Sequence, residues 1–169
     1  MAYHDSDLET ILLAVQAKLI ADGIFSAASC RIALGRDELM PQPGNASNLF
    51  ALIYPDAGAI DGGLFDGGGA NQVSETTSVT VEVFSLVLLD EGGYDPILLT
   101  SETRGVLAKA KAVLKSLSGY MLTAVISAAT YDILRNPLRP LARPAVMGLT
   151  DTPGSCAVTF EAIFDYDLS

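Results

Sequence analysis

Apolar residues near the start of the chain recur at the helical period: Leu8, Ile11, Leu12, Val15 and Leu19 share one stripe. Ser6-Asp7-Leu8-Glu9 has the form of a capping box, in which Ser6 accepts from an amide of the first turn and Glu9 reaches back to the cap amide. A helix is predicted from there, with Gly23 placed to end it in a left-handed conformation. The period then shortens to two. Cys30, Ile32 and Leu34 alternate with Ser29, Arg31 and Ala33, and Leu49 to Tyr54 is an apolar run stopped by Pro55; both read as strands. A longer strand is predicted over Thr76 to Leu89, with Val79, Val81, Val83 and Val87 on one face and Phe84, Leu86 and Leu88 on the other. Its end, apolar on both faces, is expected to be covered twice.

Helical spacing returns between Ser101 and Ser118, where Val106, Leu107, Ala110, Val113, Leu114 and Leu117 form the stripe and Gly119 ends it. Arg104, Lys111 and Lys115 lie on a face turned away from that stripe. Thr123 to Leu134, rich in Val, Ile, Thr and Tyr, is predicted as one strand. From Ser155 to Tyr166 the alternation is clean, with Cys156, Val158, Phe160, Ala162, Phe164 and Tyr166 inward and Thr159, Glu161 and Asp165 outward.

Two stretches break the periodicity. Residues 55–76 crowd glycines around Ile60, Leu64 and Phe65 and predict a mobile loop, whose Leu64-Phe65 tip is a candidate docking anchor. Residues 136–154 hold Pro137, Pro140, Pro144 and Pro153 and predict a non-helical connection. The whole, residues 1–169, reads as a single α+β domain: a mainly antiparallel sheet of about four or five strands with two helices packed on one face.

Composition narrows the function. The 169 residues carry 20 Asp+Glu against 10 Lys+Arg, a net charge of −10. That balance disfavours a duplex binder, which must neutralise phosphates, and a polybasic membrane-surface protein. No run reaches the roughly 18 apolar residues of a spanning helix, and the acidic Met1 to Glu9 segment is unlike a cationic leader, so the chain is expected to remain in the cytoplasm where it is made. Cys30 and Cys156 match no metal-ligand spacing and are expected as small buried hydrophobes without a disulfide.

Catalytic signatures are missing: there is no phosphate loop, no G-x-S-x-G, no H-E-x-x-H and no spaced Cys or His pair. The one histidine, His4, precedes the first helix and is expected to be solvated in a frayed terminus. Glu161 and Asp165 on one strand face, and Asp90, Glu91 and Asp95 in a turn, are the nearest approach to a hydrolytic carboxylate pair; exposed strand and turn positions are their simpler reading. The Asp61 to Gly69 segment departs from the EF-hand order, leaving a flexible loop as the simpler reading than a calcium site. No catalytic residue, metal or cofactor is expected.

Charge is unevenly laid out. Residues 37–103 contain eleven acids and no Lys or Arg, whereas residues 104–143 hold seven bases and one acid. Such blocks are ordinarily solvated faces. The alternative is that the acidic surface of one copy meets the basic surface of the next, head to tail, and closes a ring. At 50% hydrophobic and a mean hydropathy of +0.37, the chain has apolar surface for subunit interfaces to cover. Arg104, Lys111, Lys115, Arg135, Arg139 and Arg143, with Leu64 and Phe65, are the candidate interface residues.

The element order, with Arg31-Ile32-Ala33-Leu34-Gly35-Arg36, the Ala51-Leu52-Ile53-Tyr54-Pro55 strand end, the long Thr76 to Leu89 strand leading into a helix and the closing Val158 to Tyr166 strand, resembles the tail terminator or tail-completion proteins of tailed bacteriophages. The resemblance implies a non-enzymatic virion subunit, a homohexameric ring on the head-proximal end of the tail tube. Its partners would be the tube protein and the head-completion connector, and DNA would pass through the bore without specific binding. No membrane is implied. Other neck or tube components share this form, and a small-ligand or peptide-binding module is the reading from a different class.

Overall fold

The computed structural model describes residues 4–33, 49–55, 72–85, 105–142, 144–147 and 155–167. The chain runs through helix α1 (Leu8–Ala21), strands β1 (Cys30–Ile32), β2 (Leu49–Pro55) and β3 (Gln72–Ser85), and helix α2 (Val106–Leu117). Strands β4 (Thr123–Ile126), β5 (Ala129–Asp132), β6 (Arg139–Pro140), β7 (Ala145–Met147) and β8 (Ser155–Asp167) follow. Across the main sheet the order is β1-β2-β3-β8-β6, with β7 on β8 beyond β6. Among the described residues only β1 and β2 pair in parallel; the other pairings of this sheet are antiparallel. The α+β architecture predicted from periodicity is the one observed.

The β3–β8 ladder is the spine, running from Gln72 opposite Asp167 to Phe84 opposite Ser155. On its inner face Val79, Val81 and Val83 meet Phe160, Val158 and Cys156, all at most 1% exposed. Ile11, Leu12, Val15 and Leu19 of α1 and Val106, Ala110, Val113 and Leu117 of α2 close the same core, so both helices lie on this face. Burying one such side chain fully contributes roughly 1.5–3 kcal/mol, which explains why the stripes decide the packing. The opposite face also buries Phe50, Leu52, Thr80 and Glu82, with the Phe50 and Phe84 rings stacked at 5.7 Å. Its polar members bond across strands: Tyr54 Oη donates to Glu82 Oε2 at 3.2 Å, and the Thr80 and Thr159 hydroxyls are 2.8 Å apart.

Helix α1 starts one residue later than the capping-box reading placed it. Asp7 is the cap, its Oδ1 accepting from the Thr10 amide at 2.7 Å, while Ser6 is buried and its amide donates to the Asp165 carbonyl at 2.8 Å. Ser6 is spent on the sheet, and the next short acceptor takes the cap. The far end closes as expected: Gly23 (φ +67°) donates to Ile20 at 2.9 Å and Ile24 donates to Leu19 at 3.1 Å, the paired bonds of a left-handed helix stop. Hydrogen bonds from Thr10 hold the Asp7 carboxyl below its ordinary value of 3.8. A carboxyl lowered on folding stabilises above its unfolded pKa and loses that contribution as pH falls through the folded pKa. Asp7→Ala is therefore expected to cost about 1 kcal/mol at neutral pH. Denaturant titrations should show the difference shrinking toward pH 3, and a cost independent of pH would contradict it.

Three further expectations change. The segment read as one strand, Thr123 to Leu134, is a hairpin: β4 and β5 pair antiparallel around Ser127 (φ 49°) and Ala128 (φ 66°). Two successive left-handed residues make the turn that matches strand twist, a position normally signalled by Asn-Gly. Here residues with a Cβ occupy it, so the turn had no sequence signature. The predicted glycine loop is shorter at its end, because β3 begins at Gln72; residues 56–71, including Leu64 and Phe65, lie outside the described residues. The proline-rich connection is partly strand, with β6 and β7 laid along β8. Pro140 is tolerated there because β6 is the last strand in the sheet order, where a missing amide need not break a ladder.

His4 is not frayed. Although exposed, it donates its amide to the Asp132 carbonyl at 2.9 Å and sets its ring edge-on to Tyr131, 5.2 Å between centroids. The residues before α1 thus bridge the hairpin and β8.

Candidate subunit interface

The candidate residues were chosen for charge and exposure, and the fold sends them to separate places. Arg104, Arg143, Leu64 and Phe65 lie outside the described residues. Lys111 and Lys115, four apart, are exposed on the solvent side of α2, opposite the buried stripe. Arg135 and Arg139 lie on the segment that follows the hairpin and tracks β8. The Arg135 amide donates to the Ile163 carbonyl at 2.7 Å, Arg139 stands opposite Glu161 in the ladder, and the Leu141 amide donates to Thr159 at 2.9 Å.

Arg135 does internal work. Its Nε donates to Asp165 Oδ2 at 2.6 Å, joining a half-exposed guanidinium to a carboxylate only 5% exposed. The pair fastens the hairpin exit to the end of β8, beside the Ser6 amide. Asp165 therefore departs from its expected role on a solvated outward face: it is buried and ion-paired, whereas Glu161 is half-buried. Of the two carboxylates, that of Asp165 is committed to Arg135. Asp90, Glu91 and Asp95 lie outside the described residues.

Lys18 also has an internal partner: it bonds Asp22 at 2.8 Å and lies 4.3 Å over the Tyr120 ring. Ser116 of α2 donates to the other Asp22 oxygen at 2.6 Å, tying the two helices together. Those hydrogen bonds, from Lys18 first and then Ser116, hold the Asp22 carboxyl below the usual carboxylate range.

Lys111, Lys115 and Arg139 remain as described candidates pointing outward, the first two on the helix layer and the third at the sheet edge. Sequence reasoning passed over three exposed apolar side chains: Leu13 on α1 (49% exposed), Val125 on β4 (73%) and Leu141 beside β6 (49%). Leu141 lies two residues beyond Arg139, so this edge combines a cation with an exposed apolar side chain.

Cys30 and Cys156 are both free and fully buried. Burial pushes the Cys30 thiol up to about 12 and raises Cys156 as well, which makes both poor nucleophiles. Among the described residues no group of three or more His, Cys, Asp or Glu converges, and no helix is long and apolar enough to cross a membrane. The chain matches no protein-family model and no curated protein sequence.

Proposed function

We propose that this protein is a structural subunit that works by associating with further copies of itself in a closed ring. The observation that carries the reading is charge segregation: eleven acids without a Lys or Arg in residues 37–103, followed by seven bases and one acid in residues 104–143. A head-to-tail contact between unlike surfaces closes a ring when the rotation allows. Lys111, Lys115 and Arg139 face outward, and Leu141 adds apolar area beside Arg139. Following the resemblance, the ring would be the tail terminator of a tailed bacteriophage, capping the head-proximal end of the tail tube and offering its other face to the connector. Its mechanism is shape and charge complementarity, and a bore lined with acids would repel passing DNA enough to prevent sticking.

The test is the mass in solution. Light scattering at micromolar concentration should give a discrete assembly of the 17.7 kDa chain, a hexamer in the terminator reading. Electron microscopy of the protein mixed with tail tubes should place it at one end of each tube. A stable monomer across that concentration range would reject the proposal.

A further inference from the structure

Residues 4–6 run beside the β4–β5 hairpin before α1 begins. In an antiparallel ladder, hydrogen-bonded and open pairs alternate. The Ile133 amide donates to the Leu122 carbonyl at 3.0 Å, so the next pair, Thr123 opposite Asp132, turns its backbone groups off the hairpin. The His4 amide takes that outward Asp132 carbonyl at 2.9 Å, which lays His4 along the outer edge of β5. Its Nδ1 lies 2.6 Å from the Asp5 carbonyl oxygen, an acceptor only, and therefore carries a proton. That bond orients the ring edge-on to Tyr131, with 62° between the planes. Two residues on, Ser6 is buried and its amide donates to the Asp165 carbonyl at 2.8 Å. The segment has a fixed end on β8 and an exposed end on the hairpin.

The hairpin is divided in the same way. Its base is built into the core, with Leu122 and Ile133 fully buried and Leu134 1% exposed. Its far half is open: Val125 is 73% exposed, and residues 127–130 are exposed as well. β4 and β5 form a sheet of two, and a two-stranded hairpin is marginal by itself. The turn adds a cost, because Ser127 and Ala128 hold a left-handed φ while carrying a Cβ. Ala124 packs against the edge of the core, and the His4 contacts are a second tie.

We propose that residues 4–6 are a releasable strap. With His4 seated on β5 the hairpin is closed on the body; when His4 lifts, residues 123–132 open as a unit while the β3–β8 spine stays shut. Proteins open locally in cooperative units, and the first to open are those with few buried contacts and exposed backbone bonds. The device is a property of the single chain and stands independently of the ring.

Native-state hydrogen exchange on the full chain tests it. The amides of Ala124, Ile126, Ala129 and Tyr131 face the partner strand and report opening of the hairpin. His4→Pro, which removes the amide proton and the ring, should speed their exchange about tenfold, the effect of losing one hydrogen bond and one aromatic pair. His4→Ala and Tyr131→Leu, which remove only the ring contact, should each speed it about threefold, and the double variant no more than either alone. Ser127→Asn with Ala128→Gly, which relieves the turn, should slow the same amides. Exchange along β3–β8 should change by less than about twofold in every variant. The two ring variants leave every backbone bond in place and decide the question where His4→Pro unfolds. Unchanged hairpin amides, or equal acceleration of the hairpin and of the β3–β8 ladder, would overturn the strap.

Discussion

Phe160→Ala is expected to destabilise the fold by about 3–5 kcal/mol, the usual cost of emptying a well-packed aromatic site. Phe160 is 1% exposed on β8, opposite Val79 of β3 and opposite Pro140 of β6, so it sits where the spine meets the outer strand. Domains of this size have about 5–15 kcal/mol in total, and each kcal/mol moves the midpoint by roughly 2–4 °C. Thermal unfolding should therefore begin about 6–20 °C lower. Val125→Ala, at a side chain 73% exposed, is the control and should stay within roughly 0.5 kcal/mol of the parent. Equal losses for the two variants would mean that the helix-covered face of the sheet is not the core.

Charge reversal should separate assembly from folding. Arg139→Glu with Arg143→Glu is expected to convert the ring into smaller species, an effect read as a fall in mass by light scattering. Arg139 stands opposite Glu161, so the first change also sets like charges across the ladder, at a local cost of about 0.2–1 kcal/mol. Lys111→Glu with Lys115→Glu avoids the ladder, since both side chains are exposed on α2. Lys115 lies in the last turn, where a cation favours the helix dipole, and its reversal costs roughly 0.3–1 kcal/mol. Neither pair should unfold the protein. A contact built on exposed charge must also weaken with salt, because screening at physiological ionic strength acts beyond about 8 Å. A mass unchanged by both double variants and across a salt series would refute the electrostatic ring.

Arg135 belongs to a different class from its neighbours in the basic block. Sequence placed it with Arg139 among the cations of the basic 104–143 block and offered no reason to distinguish them. The structure commits Arg135 to Asp165, and with it the hairpin exit to the end of β8. Its partner is thirty residues away, beyond any local pattern. The Lys109 contacts with Ile24 and Phe25 are hidden for the corresponding reason, since only the packing of α1 against α2 brings that segment near.

What the sequence determined by itself was the set of elements with a strong period. The α1 stripe, the α2 stripe and the β8 alternation each repeat one burial decision many times, so a local misreading at one position does not alter the result. The Gly23 stop was also legible, because a left-handed residue is a property of one position. Tertiary structure alone decided the Ser127-Ala128 turn, the β6 and β7 pieces along β8, the docking of His4, and the transfer of the cap from Ser6 to Asp7. In each case a weak local preference, worth about 1–2 kcal/mol, yields to contacts with residues distant in sequence. Long-range pairing supplies the larger free energy, and no window of neighbouring residues contains it.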